Sequence, residues 1–519
     1  MLLERRESCS SDHQFTSSQK KEMAHKVTSS VVKKIEDNQK KIEALRYFTF
    51  AWPRFPVIIS VPNMLREENV KAYNPSLISI GPLHRGNKFL QAMEADKVSY
   101  MCCLFKRTGD VEKTREVCEA AMLKMQNILK KCYADQLVKP DDEDDITNLI
   151  EMMLIDGCFI IELVYRHSRR ERDPILNNPF KCSAIRRDLL LLDNQIPFVV
   201  LEMLFGLTVE CIPRSYEESS DPLTLIGCVL SFFGDIMGLE DAQMESNAGV
   251  IPPLHILHLL HICYQPQKPT YDQDASSHYR QLKTENGSNM VGVLCGCCQG
   301  QPCRYEEDTA ETRFQVDDEA GTATQLFYSA GGGVGYEGTA TQLEIAGVKL
   351  RKRSKTKNLF DVEFRPQDSS FYFWRGCLEI PRFSVYNFTE SFLRNIIAFE
   401  QCYPFFGSYF TSHAFLMDIL MDSVDDVKLL EKVGVICNHL GTSESVLQIF
   451  NGICKNAYPQ DFHYDKQWRK MKGCCTHWRE ELGTVKRNCA GNLWIVLSVI
   501  GAISLFVLTL LQTVYTMNS

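Results

Sequence analysis

The sequence predicts a mostly α-helical globular module with a small β element and one C-terminal transmembrane helix. Long apolar stretches in the middle of the chain, interrupted by single charged residues, indicate buried helices. Short alternating segments at 361–364 and 378–380 are typical of a small hairpin. The uncharged stretch from Leu493 to Tyr515 indicates the transmembrane helix, since about 20 apolar residues suffice to cross a bilayer.

Changes in composition predict the domain boundaries. Apolar residues at helical spacing between Val31 and Leu45 predict a short helix near the N-terminus. Glycine, serine and cysteine dominate a later stretch, as in a long loop. The predicted organisation is 1–46, an N-terminal polar segment with a short amphipathic helix; 47–264 and 339–490, one α-rich globular module; 265–338, a low-complexity Gly/Cys-rich insert; and 493–515, the transmembrane helix.

Charge and cysteine content exclude two broad classes of protein. Lysine and arginine number 57 against 65 aspartate and glutamate residues, a net charge of −8, whereas a dedicated nucleic-acid binder needs a basic surface. The 21 cysteines are too few for a scaffold built on disulfides, in which cysteine exceeds about 8–10% of the chain. The N-terminus lacks the apolar core of a signal peptide, so we expect reduced thiols in the cytosol.

The flanks of the C-terminal stretch predict its orientation. Arg479, Lys486 and Arg487 precede it, and no basic residue follows it. Because basic residues stay on the cytoplasmic side, the sequence predicts a single-pass, tail-anchored membrane protein with its N-terminal bulk in the cytosol, the plasma membrane being the favoured location. Cys489 lies close to the predicted span and is a candidate for acylation.

Acidic residues within the apolar stretches are the candidates for chemistry. Asp156, Glu162, Asp193 and Glu202 lie in apolar surroundings. Burial there raises the pKa of a carboxyl group and suits it to act as a general acid. The alternative is a structural role, in which each carboxylate caps a turn or forms an ion pair; the expected arginine partners are Arg186, Arg187 and Arg394. We favour a structural polar turn for Asp193-Asn194-Gln195, because Pro197 predicts a break in the helix there.

The sequence has two clusters of metal-ligating residue types, and we expect neither a metal nor a cofactor. Cys295, Cys298 and Cys303 are weak zinc candidates, because the spaced second pair of a closed site is missing and exposed thiols explain them as well. His255, His258 and His261 recur at every third residue, a spacing that predicts the polar face of an amphipathic helix rather than a metal site. A glycine pattern at 333–338 lacks the preceding strand of a dinucleotide site.

A basic run at 349–357 leaves two interpretations open. It suits a surface that touches anionic lipid, and it suits equally well the solvated edge of a strand.

Several strings together resemble a plant family of unknown function, domain-of-unknown-function family 247. They lie in order along the chain and leave out the insert: VPNMLREENVKAYNPSLISIGPLHRG (61–86), LQAMEADKVSY (90–100), EMMLIDGCFIIELVYRH (151–167), DPILNNPF (173–180), RRDLLLLDNQIPFVVLEMLF (186–205), TATQLEIAGVKL (339–350), LEIPRF (378–383), ESFLRNIIAFEQC (390–402) and LLQTVY (510–515). The resemblance implies a mostly helical, plant-specific membrane protein without an established enzymatic activity. Some grass members are linked to pollen–stigma self-incompatibility, which suggests recognition or signalling, and no catalytic residue carries over.

The sequence therefore predicts a tail-anchored plant membrane protein whose non-enzymatic module serves protein interaction, recognition or signalling. Its expected partners are the membrane and an unidentified protein, and no nucleic acid. The alternative from another class is a membrane-tethered hydrolase or transferase that uses the carboxylates of Asp156, Asp193 and Glu202.

The insert at 265–338 offers a first test. Its glycine-rich composition buries too little apolar surface to offset the entropy cost of ordering it. We expect that a short Gly-Ser linker in its place leaves the melting temperature nearly unchanged in a thermal scan. A large drop in the melting temperature of the linker variant would contradict this expectation. A drop in the melting temperature of the intact chain when zinc is chelated would also contradict it.

Overall fold

The N-terminal half of the described chain is built from helices. The computed structural model describes residues 56–133, 143–213, 223–234, 252–266, 338–354, 358–366, 376–459, 461–473 and 493–518. The helices of this half are α1 (Asn63–Glu68), α2 (Val70–Tyr73), α3 (Glu94–Arg107), α4 (Val111–Cys132), α5 (Glu143–Ser168), α6 (Pro179–Asp188), α7 (Phe198–Leu207), α8 (Leu225–Phe233) and α9 (Ile256–Tyr264).

The C-terminal half adds short strands to further helices. Its helices are α10 (Ala340–Ile345), α11 (Thr389–Cys402), α12 (Tyr409–Leu420), α13 (Val424–Lys432), α14 (Ser443–Ile453), α15 (465–473) and α16 (Leu493–Asn518). Its strands are β1 (Val348–Lys352), β2 (Glu363–Pro366), β3 (Gly376–Ile380), β4 (Phe383–Val385) and β5 (Ile436–Asn438).

Helix α5 is the centre of the first half. It packs against α3, α4, α7 and α8, and residues 152–165 are buried on all sides, as expected for a helix that is apolar all round. Gly157 lets α7 approach closely, because a Cβ atom there would lie 2.6 Å from Leu204 Cδ1. The predicted break at Pro197 is confirmed, since α6 ends at Asp188 and α7 begins at Phe198.

The strands form two small sheets. In the first, the strand order is β1-β3-β2, and β2 pairs with β3 in antiparallel register, with Phe364 opposite Leu378. The pairing predicted between the two alternating segments is therefore confirmed. Strand β1 joins β3 in parallel, and β4 pairs in parallel with β5 as the second sheet.

The C-terminal part of the fold requires a correction. A helix, α16, does form over the stretch from Leu493 to Tyr515. Within the described residues, however, no helix is both long enough and apolar enough to span a membrane. The prediction of a transmembrane helix is therefore wrong, and the fold class of the described residues is mostly α with two small sheets.

Two predicted parts of the chain cannot be compared with the structure. The N-terminal segment 1–46 and residues 267–337 of the insert lie outside the described residues, so their predictions stay predictions.

The three histidines of α9 are all buried, so the predicted polar face is wrong. Their imidazole rings pack around Phe399, with ring centroids 5.0–5.5 Å from that of Phe399. Backbone groups satisfy one nitrogen each of His255 and His258, and His261 Nε2 lies 2.9 Å from Glu400 Oε1. Helix α9 is therefore a core helix, although the Nε2 atoms of His255 and His258 are buried without a hydrogen-bond partner among the described residues.

Burial also lowers the pKa of several of these histidines. It lowers the pKa of His255 to about 3 and that of His413 on α12 to about 3, and it holds the pKa of His258 well below its ordinary value. The unfolded chain binds these protons near pH 6.5. Unfolding therefore takes up protons below that pH, and stability should fall as the medium becomes more acidic.

We expect each such histidine to reduce the free energy of unfolding by about 2 kcal/mol between pH 7 and pH 5. The measurement is urea unfolding of the wild type and of His413→Leu at both pH values. His413→Leu should lose less stability on acidification than the wild type. Equal losses in the two proteins would contradict the assignment.

Candidate functional site

The segment 76–81, hereafter the extended segment, belongs to no helix or strand and enters the core at residue 78, and buried side chains supply its hydrogen bonds. Asp188, at the end of α6, accepts from the backbone N–H groups of residues 76, 77 and 78 at 2.7–3.0 Å. Asn194 Oδ1 accepts from Ile80 N at 2.7 Å, and Asp156 Oδ2 accepts from Gly81 N at 2.9 Å. Because buried backbone donors must be paired, these three side chains fix the path of the segment.

Asp156 is also the partner of a buried lysine. Lys97 Nζ, on α3, lies 2.8 Å from Asp156 Oδ1 and 2.7 Å from Glu94 Oε1, and it donates to the carbonyl oxygen of Ser79. Burial raises the pKa of Asp156, and the ammonium group of Lys97 opposes that rise. Both oxygens of Asp156 are thus engaged, which suits a structural role.

The turn Asp193-Asn194-Gln195 is polar and buried, as predicted. The side-chain amides of Asn194 and Gln195 donate to the backbone carbonyl oxygens of residues 78, 188, 189 and 191. Asp193 behaves differently, since it forms an ion pair with Arg66 and lies 3.0 Å from His84 Nε2. The turn therefore ties α1 and the residues after the extended segment to the core.

The acidic residues do not assemble into one catalytic set. Asp156 contacts Gly81 and Asp193 contacts His84. Glu162 lies elsewhere and is bound by Arg107 and Arg166 at 2.7–2.9 Å. Glu202, on α7, is only half-buried. Ion pairing is confirmed for most of them, but the arginines named from the sequence are wrong. Arg187 pairs with Asp188, and Arg394 pairs with Glu390. The candidate carboxylates are instead bound by basic side chains of α1, α3 and α5.

A groove of about 480 Å³ opens beside the extended segment, between the segment and the start of α3. Its lining is polar, apart from one leucine and one glycine: Ser79, His84, Arg85, Gly86, Asn87, Leu90, Gln91 and Glu94. The Ser79 hydroxyl is buried there without a hydrogen-bond partner in the part of the chain that is described.

The rim of the groove carries an unusual aromatic side chain. Phe89 is 91% exposed, although its neighbour Leu90 is buried. The loop that bears it is held by local bonds: Phe89 N donates to Asn87 Oδ1 at 3.1 Å, and Leu90 N donates to the Asn87 carbonyl at 2.9 Å. Residues 81–93, hereafter the rim loop, therefore present Phe89 to solvent in a defined position.

The predicted cysteine sites cannot be placed. Cys295, Cys298, Cys303 and Cys489 lie outside the described residues. Among the residues that the structure does describe, no group of histidine, cysteine and acidic side chains has the arrangement of a metal site.

Sequence reasoning missed the groove itself. Lys97 and Ser79 carry no local signal, because their partners lie far away in the chain. Phe89 could have been found, since it is an isolated aromatic residue in a polar turn that Gly86 and Asn87 mark.

Comparison with known proteins identifies the family. The model of domain-of-unknown-function family 247, described as plant protein of unknown function, matches residues 58–508. The chain belongs to this family. The resemblance found in the sequence is therefore confirmed, and the match includes the extended segment, the groove and the rim loop.

Two curated relatives from Arabidopsis thaliana are similar over most of their length. One UPF0481 protein is 26% identical over 464 residues, which cover 88% of this chain and 85% of the relative. A second UPF0481 protein is 23% identical over 511 residues, which cover 88% of this chain and 89% of the relative. No solved structure matches the chain. The family thus gives the plant origin of its members and leaves the function to be inferred from the structure.

The pair Lys97–Asp156 gives a test of its structural role. Replacing Lys97 alone leaves a buried carboxylate without its counter-charge, so Lys97→Met should lower the free energy of unfolding by about 3–5 kcal/mol. Asp156→Asn removes the negative charge and keeps an acceptor for Gly81 N, so the double variant should regain at least about 1 kcal/mol of this loss. Urea unfolding of both proteins measures the difference. A double variant no more stable than Lys97→Met would contradict the assignment.

Proposed function

We propose that this protein is a non-enzymatic protein-interaction module in recognition or signalling, and that it docks a partner protein through the rim loop. The observation that carries the proposal is Phe89, which is 91% exposed on a loop whose own hydrogen bonds hold it in place. Exposing a phenylalanine to water is unfavourable, and aromatic side chains are enriched at the centres of protein interfaces. A preformed loop also lowers the entropy cost of binding.

The charges around Phe89 favour a partner of defined chemistry. Arg85 and Lys88 flank it on the rim loop, and both are exposed. Arg85 has no side-chain hydrogen bond or ion pair within the described ranges, so its guanidinium is free to bind a carboxylate. The partner surface that fits has an apolar pocket for Phe89 and acidic residues at the edge of that pocket. These acidic residues would also speed association with the basic loop.

The state of the carboxylates favours binding over the hydrolase or transferase alternative. A general acid or base needs a carboxyl group that can reach a substrate proton. Asp156 is buried and bound by Lys97, and Asp193 is bound by Arg66 and His84, so neither presents an oxygen that is free of protein contacts. Their charges stabilise the walls of the groove.

The test uses a photo-crosslinking amino acid at position 89 of the full chain, expressed in plant cells. Position 180 is the matched control, because Phe180 is also a phenylalanine and is 80% exposed on α6. We expect a protein that crosslinks from position 89 and is not recovered from position 180. That protein is then purified, and its affinity for the wild type, Phe89→Ser and Phe180→Ser is measured directly.

Phe89→Ser should weaken binding roughly 30-fold, which corresponds to the loss of about 2 kcal/mol expected for an interface anchor. Phe180→Ser should bind as the wild type does. Because Phe89 is exposed, its replacement should leave the melting temperature unchanged, which separates lost binding from lost folding. Equal affinities for the wild type and Phe89→Ser would refute the docking site.

A further inference from the structure

A cysteine, a histidine and an arginine meet on the surface near the second sheet, far in sequence from the groove. Cys437, in β5, is half-buried, and its Sγ lies 3.3 Å from Nε2 of His439. Arg382, which precedes β4, donates an N–H of its guanidinium to the same Sγ at 2.6 Å. The parallel pairing of β4 with β5 brings the two segments together, since Ser384 lies opposite Cys437.

His439 is held in a fixed orientation. Its ring stacks on Tyr386, with centroids 4.3 Å apart and planes 7° apart, and Tyr386 stacks in turn on Phe388. The backbone N–H of His439 donates to the carbonyl oxygen of Val385 at 2.9 Å. A nucleophile within hydrogen-bond reach of a base that a third group orients is the arrangement that activates cysteines.

We propose that Cys437 is a reactive thiol and a site of covalent modification by small electrophiles, with hydrogen peroxide as its oxidant. His439 accepts the thiol proton, and the guanidinium of Arg382 stabilises the thiolate that remains. The sulfur then attacks one peroxide oxygen and the O–O bond breaks. Sulfur is oxidised to sulfenic acid, the leaving hydroxide takes the proton from His439, and one water molecule is released.

The other thiols make the proposal specific. No disulfide joins the cysteines of the described ranges, and many of them are buried in the core, where an electrophile has no access. Cys102, on α3, is exposed, and its side chain has no ion-pair or hydrogen-bond partner among the described residues. Accessibility alone therefore predicts that Cys102 reacts faster, whereas activation predicts that Cys437 does.

The experiment compares the two thiols within one protein. The reduced full chain is treated with iodoacetamide at pH 7, and alkylation of each cysteine is followed over time by peptide mass spectrometry. We expect Cys437 to react about tenfold faster than Cys102. His439→Asn and Arg382→Gln should each slow Cys437 by about threefold or more, and neither should alter Cys102.

A second arm tests the oxidant. Hydrogen peroxide is added together with dimedone, which forms a stable adduct with sulfenic acid. The adduct should appear on Cys437 before it appears on Cys102, and His439→Asn should suppress it. Alkylation of Cys437 no faster than that of Cys102, or rates for Cys437 that neither substitution changes, would overturn the proposal.

Discussion

The backbone N–H groups of residues 76–81 have no strand partner, and much of the surrounding structure depends on satisfying them. The acceptors come from three places: Asp188 at the end of α6, Asn194 in the polar turn, and Asp156 in the middle of α5. Each acceptor is charged or polar and buried, so each needs its own support. Lys97 neutralises Asp156 and Arg187 neutralises Asp188, which joins α3, α5 and α6 in one network.

This network also explains why the groove lies where it does. Gly81 has a φ of +75°, and a Cβ atom there would lie 2.6 Å from the Gln195 carbonyl oxygen, so the chain must turn at a glycine as it leaves the core. The residues that follow emerge as the rim loop. The groove is thus the place where a rigid polar interior meets solvent, which is the setting in which binding residues are positioned most precisely in space.

Local features were predictable from the sequence, and features that depend on distant residues were not. The hairpin of β2 and β3 was predictable because alternation appears in each short segment, and the helix break at Pro197 follows from the chemistry of one residue. The spacing of His255, His258 and His261 was visible, but it does not reveal which side of a helix is buried. Phe399 and Glu400 decide that, and they come from α11, more than a hundred residues later. For the same reason the sequence marks Asp156 as a carboxylate within an apolar stretch, but it does not identify Lys97 as the partner of Asp156.

The order of strands in the first sheet has a consequence for how copies of this protein behave together. Strand β1 lies at an edge, with backbone groups that another chain could pair with. Its sequence, VKLRK, buries Val348 and Leu350 but directs Arg351 and Lys352 outward. Positive charges repel the same strand of a second copy, so they discourage the edge-to-edge growth that leads to aggregates. The exposed Arg351 and Lys352 therefore disfavour pairing of this edge with the same edge of another copy.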